Sequence, residues 1–154
     1  MFYSINAFKL VDAEGRRTII RYRWVPAAGA YYLSDDKLVQ KGPNFLFKEL
    51  SESLNGGVVV FRLLGQVAEE GDVTDDCTII WPEDRKVLEL GTLTLNGLAP
   101  EFEQPSLKEA IIFDPFPRVA GIEPSADPIL AVRSTVYSIS GKARKMTGGV
   151  TRAQ

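Results

Sequence analysis

Arg133 and Tyr137 are the residues of this chain whose types and spacing are best suited to chemistry. Positions four apart on an α-helix lie one turn apart on the same face, so a guanidinium at the first can reach a phenol oxygen at the second. A cation held there favours the phenolate form, and a phenolate is a strong anionic donor to ferric iron. The chain contains no histidine, which removes the commonest general base and the commonest zinc ligand from any site it builds. On spacing alone the pair has a second meaning. It also describes a helical tyrosine packed on a sheet, with an arginine laying its aliphatic stem along the same apolar surface.

The elements that must position the pair are readable around it. Asp127 followed by Pro128 is a favoured helix start, because the aspartate accepts free N–H groups of the first turn and proline at the next position has no N–H to strand. Ile129, Leu130, Arg133, Val136 and Tyr137 then fall at helical spacing. Beyond Gly141 the sequence turns small, polar and basic (Lys142, Arg144, Lys145, Arg152), and residues 145–154 are expected to form a flexible basic tail.

Upstream, strands are predicted over Phe2–Val11, Arg17–Val25, Val58–Val67 and Val87–Leu95, the third an apolar, β-branched-rich run expected to be well buried, with a turn at Asp12–Gly15. In the second of these, Ile20, Tyr22 and Trp24 share one face, while Arg17, Arg21 and Arg23 share the other. A helix is expected over Asn44–Leu54, with Asn44 as N-cap and Asn55-Gly56-Gly57 as its stop. A short strand is expected over Ala110–Phe113. The class is α+β: an antiparallel sheet with flanking helices, in a single domain over residues 1–144.

Composition narrows the function. Of 154 residues, 45% are hydrophobic and 25% charged, values of an ordinary globular domain. A net charge of −2 makes no electrostatic case for nucleic acid or an anionic membrane surface. No apolar run approaches the roughly 18 residues of a spanning helix. The first residues lack the basic start and apolar stretch of a signal peptide and enter a strand pattern at once, so Met1 is expected to mark a truncation. These features leave the compartment open.

Other candidate groups carry less. Asp72, Thr74, Asp76 and Glu83 sit at calcium-loop offsets, but Cys77 occupies the position where the sharp turn requires glycine, so a solvated acidic loop is expected. Cys77 has no histidine to activate it and reads as a structural thiol. No spacing singles out Glu103 and Glu109 as a catalytic carboxylate pair. Arg17, Arg21 and Arg23 suit either an anion grip or the solvent face of a half-exposed strand.

The strings I-F-D-P, G-I-E-P-S-A-D, and L-A-V-R-S-T-V-Y from Ile112 onward resemble the proximal haem segment of the haem catalases, most closely the small catalase-related peroxidases. N-A-F-K-L-V at Asn6, Q-V-A-E-E-G-D-V-T-D-D at Gln66, W-P-E-D-R at Trp81 and L-E-L-G-T-L at Leu88 agree in the same order. The resemblance implies haem b as cofactor and hydrogen peroxide as substrate in oxidative-stress defence. It implies Tyr137 as axial ligand to the iron, with Arg133 supporting its phenolate. It further implies Arg144 on a haem propionate and Phe113 near the porphyrin. Thr135 and Ile139-Ser140 depart from the larger catalases, and Glu83 beside Trp81-Pro82 stands where they carry a histidine, so bound NADPH is not expected.

The family's distal histidine and its asparagine lie before the matched region, so this chain would hold the proximal haem side only and be inactive alone. Its four long strands would be the second half of an eight-stranded barrel, too few to close it. Exposed strand edges then favour self-association or an N-terminal catalase-half partner. The alternatives are a non-enzymatic half-barrel that binds ligands or partners, and one half of a split enzyme.

Overall fold

The computed structural model of the protein describes residues 1–98 and 111–151; Glu103, Glu109, Ala110 and Arg152 lie outside the described residues. Its frame is a six-stranded sheet of β1 (Phe2–Tyr3), β2 (Phe8–Val11), β3 (Arg17–Pro26), β4 (Val59–Val67), β5 (Val87–Leu95) and β6 (Ile122–Pro124). The order is β5-β4-β3-β2-β6, with β1 also on β3, and every pairing is antiparallel. The β2–β3 turn is held by Asp12, whose carboxylate accepts the N–H groups of Glu14 and Arg16 and the Arg16 guanidinium. Gly121 leads into β6 at φ +83°, giving its carbonyl to the Val11 N–H, where a Cβ would meet the Val11 carbonyl at 3.3 Å.

Cross-strand partners share a face, which sorts the sheet cleanly. Phe8, Ile20 and Val67 form one row, Tyr22 and Gly65 the next, and Phe2, Trp24 and Leu63 a third. This apolar face is buried at one end only. Among the described residues, the buried apolar side chains are Ala7, Phe8, Ile20, Trp81 and Leu130, whereas Phe2 is 65% exposed.

The described residues include three helices, α1 (Asp35–Val39), α2 (Phe45–Gly56) and α3 (Pro128–Thr151). Asn44 precedes α2 as expected, although its side chain makes no capping hydrogen bond. Asp127 does cap α3, its Oδ1 accepting the Ile129 N–H at 2.9 Å. Helix α3 continues past Gly141 to Thr151, carried by helix-favouring residues such as Ala143, Arg144 and Met146. Its outward stripe of Ile129, Val132, Val136 and Ile139 stays exposed.

Two strand expectations are corrected. Phe2–Val11 is not one strand: Ser4–Ala7 leave the ladder, with Ser4 Oγ donating to the Asn6 carbonyl at 2.7 Å and the Asn6 side chain turned inward. Ile111–Phe113 form no strand either. Arg144 Nη2 donates to the Ile111 carbonyl, and Ile112 lies where a Cβ on Gly141 would come within 2.7 Å. A side chain of α3 thus satisfies the backbone that a ladder would otherwise pair.

The opposite face of β3 organises the 68–86 loop. Buried Arg21 donates to the carbonyls of Ile79 and Asp76 and lies 4.4 Å above the Trp81 ring. Trp81 Nε1 donates to the Val73 carbonyl, and Gln66 to that of Pro82. Arg85 grips both carboxylate oxygens of Asp72. Arg17 pairs with Glu123 on β6, and Arg23 lies over Tyr3. Each of the three arginines therefore has a partner within the protein, and Arg21 is a loop anchor.

The Arg85 bond, together with the Glu69 N–H, holds the Asp72 carboxyl below its ordinary value of 3.8. A carboxyl so depressed stabilises the folded loop above that value, and the contribution is lost as pH falls below it. In a Trp24→Phe background, Trp81 fluorescence should therefore be constant at neutral pH and shift to the red below about pH 4, and Asp72→Asn should show the shifted spectrum at every pH. Ile20 is fully buried, and Ile20→Ala should lower unfolding stability in urea by about 2–5 kcal/mol.

Candidate functional site

The site is built where the start of α3 meets the break between β1 and β2. Arg133 and Tyr137 stand one turn apart on α3, and Arg133 Nη2 donates to the Tyr137 hydroxyl at 3.3 Å. The guanidinium carbon lies 5.5 Å from the centre of the phenol ring. The other terminal nitrogen, Nη1, donates to Asn6 Oδ1 at 2.6 Å. Asn6 in turn donates through Nδ2 to Asp127 Oδ2 at 2.8 Å. Only one orientation of the amide serves both neighbours, since the guanidinium requires an acceptor and the carboxylate a donor.

Asp127 thus does two things at once. One oxygen caps the helix that carries Arg133 and Tyr137, and the other anchors the amide that aims Arg133. Asn6 and Asp127 are 1% and 3% exposed, so this chain of bonds is shielded from competing water. What it produces is a half-buried phenol oxygen with a fixed cation behind it, a donor suited to a hard, electron-poor metal centre.

Arg144 lies two turns beyond Tyr137 on α3, with Nη1 donating to Ser140 Oγ and Nη2 to the Ile111 carbonyl, both at 2.8 Å. Phe113, on the segment that Arg144 holds, is 75% exposed. The structure therefore joins Arg133 to Tyr137 directly and ties Arg144 to the Phe113 segment. A cleft of about 540 Å³ opens beside Arg133 and Asn6, walled by Phe8, Tyr22, Trp24 and Leu63. Cys77 is half-buried, and burial followed by the Asp127 charge pushes its thiol up, which keeps it protonated and unreactive.

Asn6 is the residue that the patterns did not single out, although the sequence held a trace of it. In the Phe2–Val11 alternation, Asn6 falls with Phe8 and Leu10, a lone amide among apolar neighbours. Asp127 was legible only as a helix cap.

The family model described as Catalase matches residues 1–149. A catalase-related peroxidase of Mycolicibacterium paratuberculosis is 36% identical over 143 residues, a stretch covering 93% of this chain and 45% of that protein. One from Synechococcus elongatus is 35% identical, covering 93% of this chain and 42% of its own length. A catalase of Listeria seeligeri is 33% identical over 92% of this chain and 31% of its length. Catalase A from Saccharomyces cerevisiae superposes with a TM-score of 0.77 at 23% identity, over 92% of this chain and 31% of that one, which establishes the likeness of fold. The chain spans less than half the length of each of these relatives.

The buried bridge is directly testable. Asn6→Ala leaves the Asp127 carboxylate and the Arg133 guanidinium without their mutual partner, and should cost about 1–3 kcal/mol in urea unfolding. An unchanged midpoint would show that the bridge contributes nothing.

Proposed function

Because this chain belongs to the catalase family, we propose that it is the proximal-side portion of a haem-binding, catalase-related peroxidase acting on hydrogen peroxide in oxidative-stress defence. The observation that carries the reading is the Tyr137 hydroxyl facing Arg133 at 3.3 Å, on a capped helix whose arginine is braced by Asn6. The donor chemistry fits haem b. Tyr137 would be the ligand to the iron, and Arg133 would support its oxygen through the hydrogen bond it donates. Phe113, exposed on the neighbouring segment, would pack near the porphyrin.

Arg144 would take a propionate. Its present bonds go to an exposed hydroxyl and a backbone carbonyl, both neutral acceptors. Exchanging them for a carboxylate gains a charge-assisted pair, roughly twice as strong as a neutral hydrogen bond. When bound, haem supplies the redox-active iron for peroxide chemistry. Tyr137, Arg133, Arg144 and Phe113 would hold it, with Tyr137 offering the oxygen donor that Arg133 faces.

Peroxide cleavage also needs a group that moves a proton between the two oxygens, for which histidine is the usual choice near neutral pH. The chain has none. The proposed activity therefore belongs to a larger assembly in which another polypeptide segment supplies that group, and this chain by itself is inactive.

Titration with ferric haem tests the ligand. The wild-type protein should give an absorption spectrum that Tyr137→Phe abolishes, and Arg133→Leu should weaken haem binding by about 10–100-fold. Superimposable spectra for wild type and Tyr137→Phe would sink the assignment and leave a half-barrel binding module as the better description.

A further inference from the structure

We infer that Cys77 is a positioning residue for the proposed haem ligand. Its thiol holds the Asp127 carboxylate from the side of the 68–86 loop, and so ties that loop through Asn6 and Arg133 to the Tyr137 oxygen. The inference deepens the reading of Tyr137 as the iron ligand and rests on it for its effect on haem. The hold on Asp127 itself stands apart from that reading.

Two donors leave a buried carboxylate incomplete. An ionised carboxylate offers about four lone-pair positions. The Ile129 N–H fills one on Asp127 Oδ1 at 2.9 Å, and Asn6 Nδ2 fills one on Oδ2 at 2.8 Å. At 3% exposure the group is shielded from the water that would fill the rest. The Cys77 thiol is hydrogen-bonded to this carboxylate. Burial, and then the Asp127 charge, push the thiol up, so it stays protonated and able to donate. A buried charge is costly unless its remaining lone pairs are satisfied, which gives even a weak donor such as a thiol a part in holding it.

The loop fixes Cys77 from both sides in sequence. Arg21 Nη2 and Nη1 donate to the carbonyls of Asp76 and Ile79, at 3.1 and 2.6 Å, so one guanidinium spans the cysteine. Asp76 Oδ1 accepts both the N–H and the hydroxyl of Thr78, which closes the turn around it. Arg21 is 7% exposed, and its Nε is the buried side-chain nitrogen without a partner among the described residues. Both of its bonded acceptors are neutral carbonyls. Burial pushes the guanidinium down, and Cys77 and Asp127 oppose that ahead of Asp72 and Asp76. The buried cation, the thiol and the buried carboxylate thus form one cluster, which joins the anchor of the loop to the cap of α3.

The test is a double-mutant cycle read by amide exchange and by titration with ferric haem. Cys77→Val keeps the bulk of the side chain and removes the donor, whereas Cys77→Ser keeps a donor. In the haem-free protein, Cys77→Val should speed exchange of the Ile129 N–H at least about threefold. It should also weaken ferric haem binding about tenfold. Cys77→Ser should stay within about twofold of wild type in both measurements. In an Asn6→Ala background the link from Asp127 to Arg133 is already cut, so Cys77→Val should there change haem affinity by less than about twofold. A thiol that only packs the loop would cost the same affinity in both backgrounds, and that result would overturn the inference. Wild-type exchange and affinity in Cys77→Val, or a Cys77→Ser that behaves like Cys77→Val, would overturn it equally. Should Cys77→Val not fold, Cys77→Ala takes its place. If Tyr137→Phe leaves the haem spectrum unchanged, the ligand reading fails, and the Ile129 exchange alone decides whether Cys77 holds Asp127.

Discussion

The Asp127 carboxylate is the constraint on which the rest of the site depends. Helix α3 cannot start cleanly without a cap, and Asp127 supplies one. The same carboxylate, through Asn6, ties the C-terminal helix to a segment 121 residues earlier in the chain. It thereby sets where Arg133 points, and Arg133 sets the electrostatic surroundings of the Tyr137 oxygen. A buried charge of this kind is costly unless fully bonded, and here each of its two oxygens has a donor. The cost of leaving either donor out is what makes the geometry specific.

The sheet presents the converse condition. Its hydrogen bonds are well formed from β5 through β6, and the loop beneath Arg21 is tightly bonded. Its apolar face, however, is covered at the Ile20 end and open at the Trp24 end. Folding is driven mainly by apolar area withdrawn from water, so a fold with five buried apolar side chains among the described residues, two of them on strands, holds a small reserve of stability. The outward stripe of α3 adds to the same deficit.

These two conditions meet in the function. The proposed function rests on the family relationship and on the arginine–tyrosine pair, in a chain without histidine. One physical circumstance accounts for both. In the proposed function a cofactor of porphyrin size would lie between two walls, and this chain would form one of them.

Much of this was legible in the residues, and the reason is locality. Arg17–Val25, Val58–Val67 and Val87–Leu95 were marked to within a residue at either end, the second by its apolar, β-branched run, although that strand is mostly half-buried where deep burial was expected. The helix start at Asp127-Pro128 and the i, i+4 approach of Arg133 to Tyr137 depend only on neighbours within a turn. The tertiary structure alone decided the rest. Asn6 left the strand pattern because its partners are 121 and 127 residues away. Ile111–Phe113 read as a strand but gave its hydrogen bonding to Arg144 and its packing to Gly141. Arg21 read as an anion grip or a solvent-facing charge and became the anchor of a distant loop. Sequence determined which groups could do the chemistry; contacts between remote segments decided which of them were held in place.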